Sequence, residues 1–420
     1  MTNLFPTEWD LYEYLVDATI ELQTSSNTSE IYDLMNFQVL GLMIEKNFDD
    51  DIFPIVLIDL LIPRSVYYKI IKNDDPKIIL TVNKFVKQYD GITHKETVIQ
   101  QKFTPIVTDD SNDINADVYK NLKASDDKKD DDITASDMNR AYQFILVLDD
   151  DIKKSKNTAN IILSNVNVAS TMMYMLSKSG FGSDNILMSP VDNTSTYDEL
   201  LLLPTPIVDQ FNYINNMYGV YKEGMQVFKD FDTFYILRKS GKCTAYRRNE
   251  PTTITFAVVG RIGSSSSVSR GINYDKANNR VFMSLSGNQL SISDTSSVID
   301  KTTGINTQII QVETGETIDV VGDSNTPTST MTTISHSKYI KDEMLLRKKE
   351  LSHIVNITID DIDISLLTPN KEYKFITDVS DMRDTLSGTY RICNMRSLFR
   401  KEDTALKCMT VATFKRTSDN

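Results

Sequence analysis

The first apolar pattern in the chain has helical spacing. Leu11, Leu15, Ala18 and Leu22 recur at intervals of three and four, which predicts an amphipathic helix over Asp10–Leu22 ending in the polar patch Thr24–Ser29. From Ile31 the period shortens to two. Met35, Phe37 and Val39 alternate with Asn36 and Gln38, and the run continues through Leu42 and Ile44, as in a long half-buried strand. The acidic turn Asp49–Asp51 leads into a buried strand at Ile52–Ile62. After Pro63, Ile78, Leu80, Val82 and Val86 face one way in a further strand, and Ala141–Leu148 closes this first sheet.

The middle of the chain returns to helical spacing. Val168, Met172, Met175 and Leu176 form one stripe, with Gly180 placed to cap it. Ile207, Phe211, Ile214 and Tyr218 form a second, closed by Gly219, and Phe231–Leu237 reads as a strand ending at Ser240-Gly241. Residues 263–335 are rich in Ser, Thr, Asn and Gly, with short strand-like runs at Val281–Leu285 and Ile309–Val312, and are expected to form a β insertion on the surface. A helix over Lys338–Leu351 precedes strands at Ile354–Ile359, Ile362–Leu367 and Tyr373–Ile376, with a turn at Thr368–Lys371. Thr389–Phe399 and Ala405–Phe414 complete a long hairpin, on which Tyr390, Ile392 and Leu398 are expected to share one covered face. So many short strands in sequence order predict a small barrel.

Length and charge narrow the class. At 420 residues the chain exceeds one ordinary core, and 45 basic against 58 acidic residues leave −13, which argues against a surface built to grip phosphates. Met1–Pro6 has neither a basic nor an apolar leader region, so no targeting peptide is expected, and synthesis in a cytoplasm is expected. Ile52–Ile62 contains Pro54 and Asp59 and falls short of the roughly 20 residues a membrane helix needs, so no membrane insertion is expected. Cys243, Cys393 and Cys408 are too few and too scattered for a disulfide framework.

The search for chemistry returns nothing with workable spacing. His94, His336 and His353 stand alone, without a second ligand at metal-binding spacing. Gly260-Arg261-Ile262-Gly263-Ser264 lacks the lysine of a phosphate-binding loop. Asp109, Ser111 and Asp113 begin like a calcium loop, but Ile114 stands where glycine is required and Lys120 where a bidentate glutamate belongs. Thr108–Asp137, with its ten aspartates, is therefore expected to be a solvated excursion. Asp149–Asp151 and Asp360-Asp361 are unremarkable in a chain with 58 acids, and the second pair is expected to mark a tight turn or bulge between two isoleucine alternations. No catalytic, metal or cofactor site is expected, and the chain is expected not to be an enzyme. Deleting Asp109–Asp132 should leave the melting temperature within a few degrees of the parent, because the segment has few apolar residues to give a core. A larger drop in a thermal melt would show the segment to be structural.

The closing segment carries a resemblance. Leu366-Leu367-Thr368-Pro369-Asn370-Lys371-Glu372-Tyr373-Lys374-Phe375, followed by Gly388-Thr389-Tyr390-Arg391-Ile392 and the hairpin through Phe414, resembles the last barrel of baseplate hub proteins from contractile-tailed phages. Asn370 stands where that family's turn has glycine. Tyr218–Gly224 with Phe228–Tyr235 is similar to the end of the family's middle domain, and Ile55–Ile79 to part of its first barrel. The resemblance implies a mainly β, α+β protein with two tube-type β-barrel domains, a small α/β domain between them and a β insertion. The divisions expected are a helical segment at 1–30, a first barrel at 31–153 with its acidic loop at 108–137, an α/β domain at 154–249, and a second barrel at 250–420 carrying the insertion at about 263–335. It further implies a homotrimeric virion component that joins the tail-tube protein to a central spike protein, touches other baseplate proteins and passes DNA without specific binding. The alternatives are another β-rich virion component, such as a tail-tube protein or a host-binding adhesin, and a cell-wall hydrolase of the tail tip. A hydrolase would require a catalytic constellation that the sequence lacks.

Overall fold

The computed structural model describes residues 11–24, 28–87, 93–107, 139–182, 185–239, 251–259, 272–275, 280–286, 289–294, 305–312, 315–320, 329–337, 339–343, 346, 350, 353–377, 386–402 and 405–418. The excursion at 108–137, the loop at Gly260–Ser264, Ser240-Gly241 and Cys243 lie outside them. The first part of the chain consists of β1 (Leu11–Gln23), β2 (Ser29–Leu34), β3 (Val39–Asn47), β4 (Ile55–Pro63), helix α1 (Arg64–Lys72), β5 (Lys77–Lys87), β6 (Thr93–Val107) and β7 (Asn139–Val147).

The expected leading helix is a strand. Tyr14, Val16, Ala18, Ile20 and Leu22 are buried at every second position, whereas Leu15, a member of the helical stripe, is only partly covered. The segment satisfies both periods. Pairing decides between them, because β1 runs antiparallel to β5 from Leu11↔Lys87 to Glu21↔Lys77 and also pairs with β2 from Ala18 to Gln23. The long strand expected from Ile31 to Ile44 is likewise two strands. A 3-10 turn at Asn36–Gln38 separates β2 from β3, and the Gln38 side chain accepts a 2.9 Å hydrogen bond from Met35 N. Met35 and Phe37 are left exposed. Strands expected at Ile52–Ile62, Ile78–Val86 and Ala141–Leu148 are found as β4, β5 and β7.

The middle of the chain contains α2 (Asp149–Ser155), β8 (Ile161–Val166), α3 (Val168–Ser179), β9 (Asn185–Met188), β10 (Tyr197–Leu202), α4 (Ile207–Tyr218), β11 (Met225–Asp230) and β12 (Thr233–Arg238). Both expected helical stripes are present. Asn167 caps α3 by accepting from Ser170 N at 2.9 Å, and Gly180 ends it at φ 95°, a conformation that costs a side-chain-bearing residue. Met172, Met175 and Leu176 of α3 meet Phe211 and Ile214 of α4 and Phe234 and Ile236 of β12 in a core of their own. Gly219 closes α4 at φ 69°, where an added Cβ would stand 2.5 Å from the Ser337 hydroxyl. Gly219→Ala is expected to cost about 1–3 kcal/mol from backbone strain, with the overlap adding to it. Chemical denaturation checks this, and an unchanged midpoint would contradict it.

The last part contains β13 (Thr253–Val259), β14 (Ile272–Asp275), β15 (Arg280–Ser286), β16 (Leu290–Asp294), β17 (Ile305–Gln311), β18 (Thr317–Val320), β19 (Ser329–Ser335), β20 (His353–Asp360), β21 (Glu372–Thr377), β22 (Gly388–Glu402) and β23 (Ala405–Ser418). The surface insertion expected at 263–335 divides in two. β15 pairs in parallel with β13, and Val281, Met283 and Leu285 lie in the main core, as does Leu290 of β16. β17, β18 and β19 form a separate three-stranded sheet. Composition hid the period-two burial of Val281, Met283 and Leu285. Within the expected helix over Lys338–Leu351, residues 340–343, 346 and 350 have helical backbone.

Ile362–Leu367, expected as a strand, contains instead a 3-10 turn at Ile364–Leu366. Asp361, at φ 54°, ends the preceding strand as the bend the sequence suggested. The backbone then finds partners outside any sheet: the Tyr14 hydroxyl donates to Ile362 O at 2.6 Å and accepts from Ile364 N at 3.2 Å. The expected turn before β21 is present, with the Thr368 and Asn370 side chains 2.6 Å apart.

The pairings of the 15-stranded main sheet explain how these parts join. Through Asn394–Arg400, β22 pairs with β3, from which the order runs β4, β7, β6, β5 and β1. β1 returns to β23 at Tyr14↔Leu406, and β23 lies along β22, so a circuit of eight strands closes. The other end of the same hairpin serves a second set of strands. There β22 meets β21, which pairs with β13, β15 and β14 in turn, while β23 meets β20 and then β16. One continuous core runs through both sets, from Val16 and Ile44 to Phe256 and Phe414.

A bulge between Ile392 and Asn394 adjusts the hairpin to this double duty. Before it, Tyr390 and Ile392 are buried; beyond it, Met395, Ser397 and Phe399 are. Leu398, expected on the same face as Tyr390 and Ile392, is therefore turned toward the opposite side and is partly exposed.

Candidate assembly site

The residues singled out for chemistry are scattered. His353 begins β20 and is partly exposed, as is His336, while His94 lies in β6 far along the sequence from both. Among the described residues no three His, Cys, Asp or Glu side chains converge in a way that could hold a metal ion. Cys393 and Cys408 are buried free thiols, and burial pushes each up to about 12, which disfavours the reactive thiolate. Asp149–Asp151 open α2, where Asp151 is buried in an ion pair with Lys229 at 2.5 Å. No described helix is long and apolar enough to cross a membrane.

What the fold does bring together is a charged joint behind the shared hairpin. Asp49 follows β3, Arg391 and Lys415 come from the two strands of the hairpin, and Glu350 comes from the helical residues before β20. Arg391 grips Asp49 through both terminal nitrogens, at 2.5 and 3.1 Å, and its Nε donates to Glu350. Lys415 reaches the second Asp49 oxygen at 2.7 Å. Burial alone would raise the Asp49 carboxyl, but Arg391 and Lys415 outweigh it and hold the group at about 2. Around this joint lies a cavity of about 300 Å³ lined by Asp49, Asp50, Glu223, Glu343 and Glu350, with Lys239 and Lys415.

Further contacts tie the middle of the chain to the circuit. Lys46 of β3 pairs with Asp230 of β11 at 2.7 Å, Lys229 N donates to Ile52 O at 2.7 Å, and Phe48 packs edge-on against Phe228 at 4.7 Å. The turn after β3 thus touches both the hairpin and the β11–β12 ribbon. The sequence marks Asp49 only as part of an acidic turn and does not single out Lys415. A usable signal was present in Arg391, a charge set directly between the apolar Tyr390 and Ile392, because a buried charge requires a partner.

This arrangement ties the strand sets to one another through buried ion pairs. The fold is one seen in a solved tail protein. A tail protein from Neisseria meningitidis MC58 shares it at a TM-score of 0.50 and 10% identity, over 96% of this chain and 97% of that one. The 43 kDa tail protein of prophage MuSo2 from Shewanella oneidensis aligns at 0.49 and 10%, over 95% and 96% of the two chains. A Francisella PdpA-VgrG complex in its half-lidded form aligns at 0.46 and 10%, over 100% of this chain and 59% of that one. No curated protein matches the sequence. Residues 18–417 match the family described as Bacteriophage PBS1 gene 109 protein, and the chain belongs to that family.

Proposed function

We propose that this protein is the structural hub of a contractile phage tail, a trimeric adaptor that joins the tail tube to the central spike and forms part of the DNA conduit. The observation that supports this best is the shared hairpin β22–β23, which pairs with the eight-strand circuit at one end and with the β13–β21 and β20–β16 strands at the other. Two tube-type barrels built on a common hairpin would move as one body. Three such chains would offer six similar barrels to a sixfold tube. In this reading the first barrel also takes in β1, the middle domain is the 154–249 region with its own core, and the second barrel carries the β17–β19 sheet.

The protein then acts mechanically in the virion, with tube, spike and other baseplate proteins as partners and with no catalytic step or cofactor. A charge of −13 suits a conduit through which DNA slides without specific binding. An amber mutation in the gene tests the reading: infected cells should accumulate heads and yield no tubes. Complete tails that only fail to adsorb would contradict it and favour a host-binding adhesin.

A further inference from the structure

We infer that neighbouring copies of this chain meet through two unlike surfaces, the outer face of α1 on one copy and the β8–β10 sheet on the next. This rests on the hub reading, which requires copies to form a closed ring. Helix α1 turns Val66, Tyr67 and Ile70 into the main core, where Tyr67 stacks on Tyr142 at 3.9 Å. Its other face leaves Tyr68 and Ile71 at 42% and 47% exposure. That face is net basic: α1 contains Arg64, Lys69 and Lys72 and no acidic residue, and of these Lys69 is paired with Glu30 of β2 at 2.6 Å, which leaves Arg64 and Lys72 to set the sign.

The second surface belongs to the other core. β8 and β10 form a two-stranded sheet in which Leu200 and Leu202 point inward. On the outward face Leu201 lies directly opposite Ile162, at 41% and 58% exposure, and Glu199 opposite Ser164. These two strands carry Asp198 and Glu199 and no basic residue. Single exposed apolar residues are ordinary, but here each apolar pair sits beside net charge, positive on α1 through Arg64 and Lys72 and negative on β10 through Asp198 and Glu199. Apolar centres with complementary rims are what a specific contact presents. Because the surfaces differ, their union is heterologous, and it closes a ring of three when each copy is rotated by a third of a turn from the last.

The test places cysteines at Tyr68 and Leu201 in one chain, with Cys243 replaced by serine, and oxidises assembled tails before a non-reducing gel. The expected result is a ladder ending at three linked copies, with neither single-cysteine chain cross-linking. In parallel, Lys72→Glu and Glu199→Lys should each weaken self-association about tenfold, and the double swap should restore it. Absence of the ladder from a particle holding three copies would overturn the contact and leave the hub reading standing. A cross-link in a particle with another copy number would keep the contact and overturn the hub.

Discussion

Ile392→Asp is expected to abolish soluble protein. The side chain is 1% exposed and lies in the core shared by both strand sets, opposite Phe414 on β23. A carboxylate there would have no cation in place of the lost packing. The cost is on the order of several kcal/mol, whether taken as burial of a charge or as burial of the neutral acid after its pKa rises. Whole domains are stable by only about 5–15 kcal/mol, so the substitution removes most of the margin. Lys401→Ala, on the exposed end of the same strand and 6.0 Å from the Phe37 ring, should change stability by no more than about 0.5 kcal/mol. Soluble yield and urea unfolding check the pair. Soluble Ile392→Asp protein that still entered particles would contradict the register described for the hairpin.

The second large effect is expected at the charged joint. Asp49→Ala leaves Lys415 without this partner and Arg391 with only Glu350 of its two carboxylates, and breaking one side of a buried pair costs about 3–5 kcal/mol. The pH dependence carries the signature of the interaction. Because the Asp49 carboxyl is held at about 2, below its ordinary value of 3.8, its contribution is fully present above roughly pH 4 and is lost as pH falls through 2. The difference between parent and Asp49→Ala should therefore shrink by about 2 kcal/mol between pH 4 and pH 2. A difference that stayed constant across this range would show that lost packing, not the ion pair, accounts for the cost.

Much of the fold could be read from apolar spacing where neighbours agreed with it. The stripes ending at Gly180 and Gly219 form helices because their apolar faces meet each other and β12. The errors have local causes. β1 has both periods in its sequence, and only its pairing with β5 selects between them. Leu398 changes face because one extra residue at the bulge reverses the alternation, and no residue type announces that bulge. β15 looked like surface because Ser, Thr and Gly around it outweigh three inward residues. The charged joint was the least legible part, since Asp49, Glu350, Arg391 and Lys415 are brought together only by the folded sheet. The resemblance read from Leu366–Phe375 and the closing hairpin was a better guide than any single periodicity, and it leads to the phage family to which residues 18–417 belong.

We propose above all that this chain forms a threefold adaptor on the axis of the tail. A cryo-EM reconstruction of the intact particle, computed without imposed symmetry at the baseplate, tests it most directly. Three copies are expected around the axis, with their β22–β23 hairpins bordering a central channel between the tube and the spike. Six copies, two copies, or density at the periphery of the baseplate would contradict it.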